Sequence, residues 1–291
     1  MKHIPVLQQE VIQLLAPQPN QNIIDATLGF GGHAKLILKK IAPNGHLLGI
    51  EWDKKTLRMA KENLSEFGDH FQYYGGNFVD LGLIVRDWKV KKIHGIFMDL
   101  GPSTDQLTDE SRGFSFSKDS TLDMRQDPSL ALSAKTIVNK FSEKELRKVL
   151  LDGEERFAKP ITKKIIEERT KSPIETTGEL VEIIRRATPP SYRYDRKTHF
   201  ATATFRALRM ATNNELENLK KVLPQAFSIL SPGGRLVIIS FHSLEDRIVK
   251  KYFAENQSLE ILTKKPITAS PREIAENPSA RSAKLRGAEK L

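Results

Sequence analysis

The first hundred residues alternate between short apolar runs and amphipathic stretches, and this rhythm restricts the fold more than any other feature of the chain. "QNIIDATL" (21–28), "GHLLGIEW" (45–52), "HFQYYGGN" (70–77) and "KIHGIFMDLG" (92–101) read as strands. Between them the spacing predicts a helix over about 32–41, another over "DKKTLRMAKENLSEFG" with a glycine stop at Gly68, and a short one over about 81–88. Strands separated by helices favour right-handed βαβ units and therefore a parallel sheet. The rhythm breaks after Gly101. Residues 102–127 are polar and turn-rich, and helical stretches follow: "SEKELRKVLLDGEERFAKPITKKIIEERT", interrupted near Gly153, and "TTGELVEIIRRA". The strand pattern resumes at "GGRLVIISF", behind the helical "NNELENLKKVLPQAFSIL", and ends with a further helix and "LEILTKKPI" (259–267). The expectation is an α/β doubly wound sheet interrupted by a helical insertion of about a hundred residues. For the basic end, "SPREIAENPSARSAKLRGAEKL", the pattern allows either a disordered tail or an ordered final strand.

The first strand–helix junction, "DATLGFGGHAKLILKK", concentrates Gly29, Gly31 and Gly32 where a strand becomes a helix. Glycine inside an element costs roughly 0.5–1 kcal/mol relative to alanine, so the cluster marks either a tight turn or the close approach of a ligand. In an open parallel sheet ligands bind beyond the carboxyl ends of the strands, and this junction is such a place. Glu51 ends the second strand 20 residues beyond Gly31, where a carboxylate can accept hydrogen bonds from a ribose diol. The third glycine of a G-x-G-x-x-G fingerprint is absent, and no Gly-Lys-Ser/Thr occurs. Asp25 before the loop suits a cationic ligand end better than a pyrophosphate. S-Adenosylmethionine, with an ammonium, a sulfonium and no phosphate, fits these residues; a nicotinamide dinucleotide is the rival. Asn77 and Phe78 close the third strand where an adenine would lie, although Phe78 reads equally as a core aromatic. Asp99 closes the fourth, and an acid ending an apolar strand needs a partner because its unpaired burial is costly.

The chain of 291 residues carries a net charge of +10, which favours a polyanionic partner such as nucleic acid or an anionic membrane surface. It has no cysteine, which excludes disulfides and thiolate metal sites. No apolar run approaches the roughly 20 residues of a membrane span, and the amino end lacks a signal-peptide pattern, so the expected location is cytoplasmic.

The motifs extend through the chain: "HIPVLQQEV", "DATLGFGGHAKLIL", "DLGPSTDQL", "RGFSFSKDSTLDMR", "GEERFAKPI", "HFATATFRALR", "PGGRLVIISFHSLEDRIVK" and "NPSARSAKLR". In these stretches the sequence resembles the MraW/RsmH methyltransferases, which transfer a methyl group from S-adenosylmethionine to the N4 amine of a cytosine in 16S ribosomal RNA. The resemblance implies a Rossmann-like class I methyltransferase core over 1–106 and 213–291, with an inserted helical domain over 107–212 that helps to grip RNA. It carries cofactor contacts onto Gly31, Gly32, His33, Glu51, Phe78, Asp99 and Gln106; at Glu51 the family more often has aspartate. It also implies a 16S ribosomal RNA partner within a small ribosomal subunit. Two departures stand out. The family's Val-Ser-Ser is Pro102, Ser103 and Thr104 here, and an expected arginine and glutamine are Ala203 and Arg206. Arg206, on the same helix face as position 203, is a candidate to restore the missing charge.

The exocyclic amine of cytosine is a weak nucleophile, so catalysis requires alignment, a proton acceptor and extrusion of the base from its stack. Asp99 is the candidate for orienting the amine or taking its proton, with a purely pocket-shaping role as the alternative. No metal is required, and His33 reads as a cofactor or structural contact. A stacking ring has Phe114 and Phe116 as candidates. His242, Ser243, Asp246 and Arg247 of "SFHSLEDR" are placed to face the same cleft, but the stretch lacks a nucleophile elbow, and an N-cap by Ser243 explains part of it. From Arg185 to Arg209 seven Lys/Arg face one acid, Asp195, with Tyr192, Tyr194, Phe200 and Phe205 interleaved. This suits phosphate neutralisation with base stacking, and the candidate RNA contacts are Arg112, Arg193, Arg196, Arg206, Arg209 and His242, with Arg281, Lys284 and Arg286 as additions. A ribosome assembly factor that binds RNA on the same fold with weak or lost catalysis remains the second functional reading.

Overall fold

Apolar β-rich runs that must be covered on both faces form the centre of the core unit. The computed structural model describes residues 4–103, 106–107, 109, 111–194 and 198–291. These divide into a unit made of Met1–Gly101 and Leu216–Leu291 and a unit made of Pro102–Glu215. The first holds β1 (Asn22–Asp25), β2 (His46–Glu51), β3 (Phe71–Gly75), β4 (Gly95–Asp99), β5 (Arg235–Ser240), β6 (Leu259–Ile261) and β7 (Lys284–Lys290). They form one seven-stranded sheet in the order β3-β2-β1-β4-β5-β7-β6. β1 to β5 pair in parallel, while β7 runs antiparallel between β5 and β6. The chain winds outward in both directions from β1, so the carboxyl ends of β1 and β4 lie at the switch point where such sheets receive ligands.

Strand alternation sends neighbouring side chains to opposite faces. Ile24, Ile50, Ile96 and Ile238 face one layer with Leu81, Leu223 and Phe253. Ile23, Leu47, Phe97 and Val237 face the other with Leu15, Ile37 and Leu38. Helices α1 (Gln8–Leu15), α2 (Gly32–Ile41), α3 (Lys54–Asn63) and α4 (Leu81–Asp87) supply part of these layers. No helix among the described residues is long and apolar enough to cross a membrane.

The basic end is an ordered seven-residue strand, so the disordered alternative is set aside. Arg286 on that strand is only 6% exposed and grips Asp246 through Nε at 2.6 Å. Lys284 Nζ lies 3.5 Å from the same carboxylate, so the expected phosphate-binding role of these two residues gives way to internal pairing. The expected strand at 259–267 is shorter and ends at Ile261; Ile267 returns only as an isolated bridge to Leu285.

The second unit is helical, and its boundaries at Pro102 and Glu215 lie slightly outside the expected 107 and 212. Its principal helices are Ala134–Lys140, Glu143–Asp152, Ala158–Arg169, Thr177–Ala187 and Thr202–Asn213. Reciprocal capping boxes at Ser142/Glu145 and Thr176/Glu179 satisfy the first orphan amides of two of them. Gly153 ends the first of those two where backbones approach: a Cβ there would meet Ala207 Cβ at 2.2 Å. Leu146, Leu150, Ile161, Leu180, Ile184, Phe205 and Leu208 fill the interior.

Candidate functional site

Three strand ends bring three acids to one edge of the core sheet. β1 ends at Asp25, β2 at Glu51 and β4 at Asp99. The ladder continues past them, with Ala26 N donating to Phe97 O at 2.9 Å and Leu28 N to Ile50 O at 2.8 Å. The chain then turns through Gly29 (φ 53°) and Gly31 (φ 82°), left-handed conformations that disfavour other residues. A Cβ on Gly32 would lie 2.3 Å from Pro5 Cγ, so that glycine admits the amino-terminal segment beside the loop. At Gly29, by contrast, a Cβ would find no atom nearer than Thr27 O at 4.0 Å, which leaves open space above the turn.

Glu51 holds the loop: its carboxylate accepts from Gly29 N at 2.9 Å and from Asp53 N at 2.8 Å. Asp53 in turn caps α3 by accepting from Lys55 N and Thr56 N at 2.8 and 2.9 Å. Asp25 accepts from Thr27 N at 3.2 Å through one oxygen, while its other oxygen is buried with no hydrogen-bond partner among the described residues. Asp99 has one such oxygen as well, and its backbone amide donates to Thr27 Oγ1 at 2.5 Å. His33, in the first turn of α2, places Nδ1 3.9 Å from Asp99 Oδ2 and Nε2 2.8 Å from Val6 O. A carbonyl only accepts, so the Nε2 proton points at Val6 and Nδ1 faces the acid. The imidazole also packs on Phe97 at 4.7 Å between ring centroids.

Loss of solvation governs the electrostatics. Burial pushes Asp25 up to about 7, against the opposing Thr27 amide. Burial likewise pushes Glu51 up to about 7, against the amides of Asp53 and Gly29 and aided by the charges of Asp53 and Asp25. Asp99 rises to about 8 through burial, then through the carboxylates of Asp25 and Glu245. Its side chain still keeps 24% of its exposure, so a ligand can reach it. Acids so placed, with two oxygens lacking partners, form a site that a cationic ligand would stabilise.

The other candidates distribute as follows. Phe78 is half-buried and packs against the core layer that contains Leu81 and Leu223, so the core reading holds for part of its ring. Asn77 caps the turn after β3 by accepting from Val79 N at 3.0 Å. Gln106 belongs to the second unit, where its Oε1 accepts from Ser103 N at 2.9 Å. His242, rather than Ser243, is the N-cap of the helix Ser243–Glu255. Its partner in the capping box is Glu245, which also accepts from Phe241 N at 2.8 Å. Glu245 and Thr27 were missed from sequence; the His-x-x-Glu spacing of a capping box was the available signal for the former.

In the second unit the interleaved aromatics divide. Tyr192 and Phe205 are core residues at 8% and 4% exposure, whereas Tyr194 is 80% exposed, with Arg193 5.8 Å above its ring. Phe114 is buried, and Phe116 stacks on His199 at 4.5 Å, so Phe114 is not available as a stacking ring. Arg209 makes a bidentate pair with Glu215 at 2.9 Å, and Arg112 Nη1 donates to Gln126 O at 3.1 Å. Arg206 Nη2 donates to Gly153 O at 2.9 Å. Arg196 lies outside the described residues, as do Thr104 and Asp195.

Comparison with known proteins agrees with this geometry. The model of the MraW methylase family matches residues 1–291. A protein of Kosmotoga olearia named ribosomal RNA small subunit methyltransferase H is 44% identical, over 99% of this chain and 97% of its own. One of the same name from Thermosipho melanesiensis is 46% identical over 100% and 98% of the two chains. Among solved structures, PH0851 superposes with a TM-score of 0.51 at 10% identity, over 99% of this chain and 47% of that one, a likeness of fold. With the doubly wound sheet, the glycine turn and these full-length matches together, the chain belongs to the MraW methylase family.

Proposed function

We propose that this chain transfers a methyl group from S-adenosylmethionine to the N4 amine of a cytosine in the 16S ribosomal RNA, acting in the cytoplasm on the small ribosomal subunit or its precursor. One observation carries the reading: among the described residues Asp25 and Asp99 each keep a buried oxygen without a partner beside an open glycine turn. A dinucleotide would bring a pyrophosphate against these acids, and like charges in low dielectric repel strongly. S-Adenosylmethionine brings positive charge instead, and when bound it supplies an electrophilic methyl on sulfur.

Glu51 is the residue to hold the ribose diol, with Gly31, Gly32 and His33 bordering the donor and Phe78 beside the adenine. Glu51 is already oriented by Gly29 and Asp53, so little side-chain freedom is lost when a diol arrives. Asp99 aligns the cytosine amine and accepts the proton released as nitrogen gains its fourth bond. For that role its carboxylate must be ionised, and the positive charge of the donor lowers the pKa that burial has raised. His33, fixed by Val6, restricts the orientation of Asp99. The helical unit, with Arg193 and exposed Tyr194, is assigned to RNA binding. Family membership and the full-length relatives support the substrate class.

The test is mass spectrometry of 16S ribosomal RNA incubated with the protein and labelled donor. An N4-methylated cytidine, lost in Asp99→Asn, is the expected result. RNA binding without any methyl transfer would instead favour the assembly-factor reading.

A further inference from the structure

The core unit carries a basic face that the cofactor site does not use. It lies on α3 and the neighbouring strand β3, which forms one edge of the sheet and among the described residues pairs only with β2. In α3, Thr56 and Ala60 turn inward, and Leu57 packs towards β3, where a Cβ on Gly75 would meet it at 3.1 Å. The helical repeat then carries Lys54, Arg58 and Lys61, spaced i, i+4 and i+7, along a stripe on the exposed side. Lys61 Nζ sits 4.2 Å from the centroid of the Tyr73 ring, which fixes the end of the stripe against the edge strand. Lys55 adds a fourth exposed cation on the flank of the stripe, where the exposed acid of this helix, Glu62, also lies one turn beyond Arg58.

Two features separate this face from an ordinary solvated helix. Among the described residues no acid pairs with Lys54, Arg58 or Lys61, whereas on α2 Lys35 is paired with Glu66 at 2.5 Å. A large aromatic ring also stands exposed beside the cations, Tyr73 at 46%, whereas Tyr74 points to the opposite face of the edge strand. β3 ends at Gly75 and gives way to a loop at Gly76. That loop leads into Asn77 and Phe78, and Lys54 follows Glu51 by one short turn, so the basic face borders the carboxyl end of the sheet where the candidate site lies.

From this juxtaposition we infer that the α3–β3 face is a second RNA-binding surface, in which Lys54, Arg58 and Lys61 neutralise phosphates and Tyr73 stacks on an unpaired base. Unpaired cations flanked by exposed rings are the chemistry that holds single-stranded or splayed nucleic acid. The inference rests on the proposed RNA substrate and adds a place on the catalytic unit itself where that RNA is held. Placed there, the cations and the ring anchor the strand that bears the target base independently of the helical unit.

The experiment measures binding of a 16S ribosomal RNA transcript to the full chain across a salt series. Each phosphate that a cation neutralises adds about 0.7–0.9 to the log–log slope, so the triple substitution Lys54→Gln, Arg58→Gln, Lys61→Gln should reduce it by about 2. Tyr73→Ala alone should weaken binding about tenfold with the slope unchanged. Donor affinity and the unfolding midpoint should stay at wild-type values in both variants. Wild-type slope in the triple variant with wild-type affinity in Tyr73→Ala overturns the inference and leaves the RNA substrate intact. Failure of the unmodified protein to bind the transcript overturns both. A slope that falls equally for an unrelated duplex also counts against it, since a strand-specific surface requires the unpaired RNA to lose more.

Discussion

Both units bury carboxylates, and they treat them in opposite ways. In the helical unit Glu155, 2% exposed, accepts from Tyr192 Oη at 3.0 Å, Thr204 Oγ1 at 2.9 Å and Phe157 N at 2.9 Å. Glu215 there is held by both arms of the Arg209 fork. In the sheet unit Asp25 and Asp99 lie near other acids, and each keeps one oxygen with no partner among the described residues. A carboxylate supplied with donors ties helices together, whereas an acid cluster left short of donors destabilises the empty fold and awaits a cation. The contrast separates residues that build the scaffold from residues that serve the ligand.

Substitutions on the two sides should therefore give different signatures. The largest expected effect is at Asp99. Asp99→Asn should lower methyl transfer at saturating donor by ~100- to 10,000-fold, the range for losing a positioned proton acceptor, while the fold is kept or slightly stabilised. Single-turnover kinetics beside thermal unfolding would check it; a slow variant that is also strongly destabilised would blur the distinction. Next comes Glu155→Ala, which strands two buried hydroxyls and the half-buried Phe157 amide and should cost about 3 kcal/mol in chemical denaturation, with donor affinity unchanged. A smaller effect is expected at Glu51→Gln, where the loss of one charged acceptor should weaken donor binding by about 10- to 100-fold in calorimetry.

The smallest effect is one of pH. Asp25, Glu51 and Asp99 have folded pKa values raised above their unfolded ones, so each takes up its proton more readily in the fold. Their contribution to stability therefore falls as pH rises from about 4 towards 8. A cation in the site offsets that loss, so the stabilising increment from S-adenosylmethionine should grow between about pH 6 and 8. Thermal unfolding with and without donor measures it, and Asp25→Asn should flatten the trend.

The parts of the molecule written in local pattern were legible in the sequence. Four parallel strands, α2 over Gly32–Ile41 and the acids at the strand ends follow from apolar runs, glycine placement and spacing. The amino-terminal helix was not read, because its caps are Leu7 and Ala16 in left-handed conformations that only the surrounding packing stabilises, with Leu7 fully buried. Arg286 looked like a free cation at a basic end, but its partner Asp246 lies 40 residues away in the chain. Tyr192 and Phe205 resembled a base-stacking set because composition cannot tell an exposed ring from a core one. Glu245 was hidden for a similar reason: its influence on Asp99 exists only once the ends of β4 and β5 lie side by side.

The central claim is that the acids at the ends of β1, β2 and β4 receive a positively charged donor. Calorimetric titration of S-adenosylmethionine at neutral pH, in two buffers of different ionisation enthalpy, tests it most directly. The account predicts binding with release of protons from the carboxyl groups, and a smaller release in Asp25→Asn and Asp99→Asn. Binding that releases no proton, or an equal release from these variants, would contradict it.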